Sequence, residues 1–192
     1  DWDSASVVSN DSTCDGKDVM CGSACSCGAA DTGENFCGAP DVDHTKEQVR
    51  NDVVDFLNWL RATFGFGGWR FDMVLGYGGR YVKEYVDRTA GGFAVGEYLS
   101  GDADKIKAWT SESGLPAFDF PQRYALQRVF NTSDLSGLRT PPGLAGWRPA
   151  LAQSFLDDHD TARPMGQGTG GDGGFGSEAA QMLGYAYILT HP

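Results

Sequence analysis

Basic residues are scarce in this chain: 15 lysines and arginines stand against 26 acidic residues, leaving a net charge of −11. Such a surface repels phosphate and offers no positive stripe for counterion release, so neither nucleic acid nor an anionic membrane is an expected partner. Long apolar runs are missing too. The longest apolar-rich stretch, Met182 to Leu189, falls far short of the roughly 20 residues that span a bilayer. No initiator methionine opens the chain, and no basic segment leads into an apolar one, so no targeting segment is visible and processing or truncation is expected. Cys-x-x-Cys pairs are absent. The five cysteines, Cys14, Cys21, Cys25, Cys27 and Cys37, leave zinc, disulfides and free thiols all open, and their odd number leaves at least one thiol unpaired in a monomer. What the chain does have is 192 residues that are 41% hydrophobic and 12% aromatic, enough for a core to carry folding.

Residues 1–44 are rich in Gly, Ser, Asp and Cys and show no apolar period, which predicts an irregular loop domain. Residues 45–192 read differently. Thr45 to Gln48 fits a capping box, and Val49, Val53, Phe56, Leu57, Leu60 and Phe64 follow at helical spacing up to Gly65, placed for a left-handed C-cap. Gly68 to Val74 alternates as a strand, with Trp69, Phe71 and Met73 on one face and Arg70 and Asp72 on the other. A helix over about 80–88, a strand at Phe93 to Glu97, a helix capped by Asp102 through Ile106 and Trp109, a strand at Ala117 to Phe120 and a helix begun at Pro121 repeat the beat. A fourth strand is predicted at Ala152 to Asp157, and Ser177 opens a last helix. This alternation predicts an α/β fold with a parallel sheet, either doubly wound or part of a barrel. Trp59 and Trp109 read as core; Trp2 and Trp147, in loops, are placed to stack on a ligand ring. Gly166 to Gly176 reads as a linker, since it lacks the Gly-Lys-Ser/Thr ending of a phosphate loop.

Polar groups collect at the carboxyl ends of successive strands: Asp72, Glu97, and then Asp157-Asp158-His159-Asp160. Three carboxylates after three parallel strands would meet at one mouth, the arrangement that acid-base and nucleophilic work on a glycosidic bond needs. Arg70, two residues before Asp72 on the same strand face, favours an ionised, nucleophilic Asp72. Glu97, in an aromatic and aliphatic strand and facing other carboxylates, is the group whose pKa burial and like charge would raise, hence the general acid. Asp160 is left to stabilise an oxocarbenium-like transition state, with His159 beside it for sugar hydroxyls.

Gly68-Trp69-Arg70-Phe71-Asp72, Phe93-Ala94-Val95-Gly96-Glu97 and Phe155-Leu156-Asp157-Asp158-His159-Asp160-Thr161 resemble three signature regions of the alpha-amylase family, glycoside hydrolase family 13, in the family's order. Ala39 to His44, Phe56 to Leu60 and Gly184 to Pro192 resemble its plant-type branch. The resemblance implies a partial (β/α)8 barrel, about its fourth to seventh strands with their helices, preceded by the loop domain. It also implies a retaining endo-hydrolase of alpha-1,4-glucans such as starch, with Asp72 as nucleophile, Glu97 as acid/base, Asp160 as stabiliser, and Arg70 and His159 binding substrate. Asp31-Thr32-Gly33-Glu34 and Asp41 resemble the family's Ca²⁺ loop, which implies the side chains of Asp31 and Asp41 and the carbonyls of Glu34 and Gly76 as ligands.

Three positions depart from the plant-type pattern: Leu75 stands for its Lys, Leu99 for its aromatic and Asp158 for its Asn. Leu75 and Leu99 put sugar contacts on the leaving-group side in doubt, and Asp158 adds a negative charge near Asp160; together they predict reduced or altered activity and motivate a non-catalytic glucan-binding or regulatory homologue as the alternative. The protein is expected to work as a monomer; its compartment is not given by the sequence, secretion and a plastid both being compatible with it. With four of eight barrel strands, the 192 residues alone are expected to be inactive.

Overall fold

A computed structural model describes residues 2–9, 11, 13–14, 17–18, 28–30, 33–34, 36, 39–89, 92–161 and 174–191, with 13–14 and 17–18 described as backbone alone. Their elements are the antiparallel pair β1 (Thr13–Cys14) and β2 (Lys17–Asp18), then α1 (Glu47–Phe64), β3 (Gly68–Phe71), α2 (Gly79–Thr89), β4 (Phe93–Gly96), α3 (Ala103–Ser113), β5 (Ala117–Phe118), α4 (Phe120–Thr132), β6 (Ala152–Gln153) and α5 (Glu178–Thr190). From Glu47 onward strand and helix alternate as predicted. The chain divides into two compact units, Asp1–Glu97 with Ser111–Leu115, and Tyr98–Thr110 with Pro116–Pro192.

In the first unit, α1 ends as predicted: Gly65 takes φ 76° and ψ 22°, and its N–H caps the Arg61 carbonyl at 2.9 Å. Its start differs from the predicted capping box. Lys46 is the N-cap without a side-chain bond, because the Thr45 amide and hydroxyl both donate to Asp43 Oδ1, at 3.0 and 2.5 Å. A carboxylate two residues upstream outcompetes a helix terminus for the same hydroxyl. The covered face of α1 also differs. Val49 and Val54 are buried, while Phe56, Trp59 and Phe64 are each more than half exposed and lie against one another, with centroids 5.9 Å (Phe56–Trp59) and 5.4 Å (Trp59–Phe64) apart. Trp59 is thus not core; periodicity says which residues share a face, not what covers it.

β3 and β4 pair in parallel, from Gly68↔Phe93 to Phe71↔Gly96. Trp69 and Phe71 point inward as predicted, and Trp69 Nε1 donates to Thr89 Oγ1 at 3.0 Å, tying the strand to α2, whose Val82 and Tyr85 are buried. The strand was expected to reach Val74 but stops at Phe71. Met73 adopts φ 43° and ψ 44°, a left-handed conformation no strand contains, and Val74–Gly76 forms a 3-10 turn.

In the second unit, Asp102 Oδ1 accepts from Asp104 N at 2.9 Å and Lys105 N at 3.3 Å, and Ile106 and Trp109 are buried on α3, all as predicted. β5 and β6 pair in parallel, Ala117↔Ala152 and Phe118↔Gln153. β5 ends two residues before the expected Phe120, because the fully buried Asp119 caps α4 instead, accepting from Gln122 N at 3.0 Å and Ala145 N at 2.8 Å. Ser177 caps α5 through Ala180 N at 3.2 Å. Between α4 and α5 lie Leu126, Leu156, Phe175, Ala180 and Tyr187. Among the described residues, no helix is long and apolar enough to cross a membrane.

Leu126 is fully buried in that cluster, so Leu126→Ala is expected to lower unfolding free energy by about 2–5 kcal/mol. Leu135→Ala, at a 61% exposed position, should change it by less than about 0.5 kcal/mol. Equilibrium denaturation of both variants checks the contrast.

Candidate active site

Alternation along β3 turns Arg70 away from the packed side, and the chain leaves the strand two residues later at Asp72. Arg70 Nη1 lies 2.6 Å from Asp72 Oδ1, and its Nη2 lies 2.8 Å from Glu97 Oε2. One guanidinium therefore holds two carboxylates from adjacent strands. Their surroundings are unlike: the Asp72 side chain is 70% exposed, that of Glu97 only 1%.

Glu97 is the residue after β4, and its main chain is pinned by Glu97 N to Phe71 O (2.8 Å) and Val74 N to Glu97 O (3.0 Å). The left-handed turn at Met73 aims that residue's N–H at Glu97 Oε2, 3.2 Å away. Oε1 is buried without a hydrogen-bond partner. Burial, chiefly, pushes the Glu97 carboxyl above its ordinary range, and the neighbouring Asp72 carboxylate adds to this against the opposing Arg70 charge and Met73 amide. The Met73 turn could not be read from the sequence, since a methionine carries no left-handed signal.

A cavity of about 450 Å³ opens beside Asp72 and Met73 and is walled on another side by Glu34, Asp41 and Gly76. These last three are predicted metal residues, and they come together. Glu34 N donates to Leu75 O at 2.8 Å, and the Asp41 carboxylate rests so close to Gly76 that a Cβ there would fall 2.2 Å from Oδ2. Asp31, the fourth predicted ligand, lies outside the described residues, as do Cys21, Cys25, Cys27, Cys37, the Cys14 side chain and residues 166–173 of the Gly-rich stretch. Asp11 was not anticipated. It is buried and accepts from Phe36 N at 2.7 Å and Asp41 N at 3.1 Å, fixing the Asp41 main chain; nothing in its local sequence marks it.

His44 also lines this cavity, stacked on Tyr77 with centroids 4.3 Å apart and hydrogen-bonded through Nδ1 to the Tyr85 hydroxyl at 2.6 Å. Burial pushes its pKa down to about 4, with Asp43 opposing and Arg50 assisting.

Asp160 and His159 belong to the second unit, in the turn after β6. Asp158 Oδ1 accepts from Asp160 N (3.0 Å), Thr161 N (2.9 Å) and Thr161 Oγ1 (2.8 Å), so this carboxylate builds the turn that presents Asp160. His159 Nε2 is 3.1 Å from Asp160 Oδ2, both side chains more than half exposed. Asp158, His159 and Asp160 are the one group of at least three acidic or histidine ligands found close together among the described residues, and the turn itself accounts for their proximity.

Comparison with known proteins gives the lineage of this arrangement. No family model matches the chain. It is 35% identical, over its whole length, to the chloroplastic alpha-amylase 3 of Arabidopsis thaliana, and 39% identical, over 86% of its length, to the probable alpha-amylase 2 of the same plant. The chain belongs to the alpha-amylase family. It spans 22% and 43% of those two relatives. The crystal structure of an Anoxybacillus alpha-amylase superposes with a TM-score of 0.54 at 21% identity, covering 66% of this chain and 30% of that one, and it supports the fold as part of a (β/α)8 barrel. The family is one of glycoside hydrolases.

The low pKa of His44 makes stability pH-dependent. The unfolded chain binds a proton on this residue below about pH 6.5, and the folded chain only below about 4. The His44 contribution is therefore intact above pH 6.5 and is lost as pH falls toward 4, by about 2–3 kcal/mol at pH 4.5. Unfolding free energies at pH 7 and 4.5 should differ by that much less in His44→Gln; an equal difference in both proteins contradicts the assignment.

Proposed function

We propose that the protein hydrolyses alpha-1,4-glucosidic bonds of starch-type glucans by a retaining double displacement. The observation that carries this reading is the unequal pair held by Arg70: an exposed Asp72 beside a buried Glu97 whose pKa is raised. Glu97, its pKa raised by burial, gives its proton to the glycosidic oxygen as the bond to the anomeric carbon breaks, and Asp72 attacks that carbon to form a glycosyl ester. Glu97, now a carboxylate, takes a proton from water, which displaces Asp72 with a second inversion. Both carboxyl groups contact one guanidinium, which keeps them near neighbours, as a nucleophile and an acid/base of a retaining enzyme must be. Asp160 stabilises the positive charge developing on the sugar, and Arg70 and His159 bind substrate.

Calcium suits the loop beside the cavity. Asp41, with the carbonyls of Glu34 and Gly76, offers hard oxygen donors, and Gly76 is a place where a side chain would collide with the Asp41 carboxylate. With Asp31 these residues would hold the ion, which would join residues 31–41 to the end of the β3 segment and supply structural stability.

In the full-length protein, Glu97→Gln is expected to reduce release of reducing ends from soluble starch by about 10²–10⁴-fold while glucan still binds. Wild-type activity should decline as pH rises through the raised Glu97 pKa, since the acid must be protonated to act. Equal, slow release by wild type and variant, with binding retained, makes this a glucan-binding protein. EDTA should lower the melting temperature, and excess calcium restore it; an unmoved transition removes the ion from the account.

A further inference from the structure

The stretch from Leu156 to Thr161 carries His159 and Asp160, yet it begins three residues after β6 has ended at Gln153. The strand was expected to continue to Asp157, and ladder hydrogen bonds would then have held the stretch; a different device replaces them. Arg123 on α4 is the largest fully buried side chain among the described residues. Its Nε donates to the Leu156 carbonyl at 2.6 Å, and its Nη2 lies 3.3 Å from Asp157 Oδ1 and 3.4 Å from the Thr161 carbonyl. These acceptors stand at the beginning and end of the turn. The second Asp157 oxygen takes Gln181 Nε2 of α5 at 2.5 Å, and within the turn Asp158 holds the Asp160 and Thr161 amides.

A guanidinium withdrawn from water is tolerated only with its donors engaged, and here Nε and Nη2 engage one loop. An apolar residue would fill the same place in the core. It would not bind carbonyls at both ends of a turn, and a lysine offers a single point of charge where arginine offers a planar fork.

We propose that Arg123 is a positioning residue: by clasping both ends of the 156–161 turn it fixes the direction in which Asp160 leaves the main chain. The inference rests on the reading of Asp160 as the transition-state stabiliser, and it adds a residue that touches no substrate. Asp157 is the second half of the clasp, and Gln181 steadies it from α5.

The test compares Arg123→Met, Arg123→Lys and Gln181→Ala in the full-length protein by two readouts. The first is amide hydrogen exchange in the 155–161 peptide, where the Asp160 and Thr161 amides report the turn directly. Arg123→Met should lose about tenfold in protection there, beyond any change in α4 and α5, with smaller losses in the other two variants. The second is glucan hydrolysis: Arg123→Met should lower kcat by about 10²-fold with KM changed less than about threefold, and Arg123→Lys should recover part of it. If Arg123→Met does not fold, Gln181→Ala decides by the same two measures. Unchanged exchange in 155–161, or exchange that rises only with global unfolding, overturns the clasp. Faster local exchange with kcat preserved overturns its catalytic role. A wild type inert on glucans, with the exchange result as expected, supports the clasp and overturns the catalytic reading of Asp160 instead.

Discussion

The guanidinium of Arg70 reaches two carboxylates that are 25 residues apart, and it does so because β3 and β4 run parallel with Phe71 opposite Gly96. That register brings the residues just past the two strand ends side by side. A shift of one residue would turn Arg70 into the core and separate the pair. What chiefly distinguishes the two acids is burial: the same cation serves both, but the Asp72 side chain is exposed and that of Glu97 is not. The raised Glu97 pKa that follows is what the proposed general acid requires.

Around this pair the chain spends its irregular backbone. Met73 in the left-handed region ends β3 and delivers an amide to Glu97; the following 3-10 turn brings Gly76 under Asp41 and Leu75 against Glu34. Acid placement and the oxygen-rich wall are thus consequences of one short turn. The 156–161 turn, in the second unit, is built by side chains for the same reason: short strands leave their successors unsupported, and Arg123, Asp157 and Asp158 supply the missing bonds.

Much of this was legible in the sequence. Alternating periods gave the strand–helix order, and Gly65, Asp102 and Ser177 marked helix ends where they occur, because their chemistry acts on amides or angles within a few residues. The same alternation put Arg70 with Asp72. Strand ends were not legible: Asp119, inside the expected strand, caps α4 through Gln122 N and also takes Ala145 N from 26 residues away, and Met73 turns for no reason its side chain carries. Nor was the exposure of Phe56, Trp59 and Phe64, whose spacing on α1 matches that of a core stripe. Asp11 and Arg123 were missed because each binds main-chain groups distant in sequence, and an isolated Asp or Arg gives no local sign of such a task.

The proposed chemistry needs a Glu97 that keeps its proton to higher pH than an ordinary glutamate, because water is kept from it and a second acid is near. Carbon-13 NMR of the Glu97 carboxyl across a pH titration measures this directly. The resonance should titrate above the ordinary value of 4.5, and replacing Asp72 with Asn should move it back toward that value. A Glu97 that titrates at or below 4.5, or one indifferent to Asp72→Asn, would contradict the account.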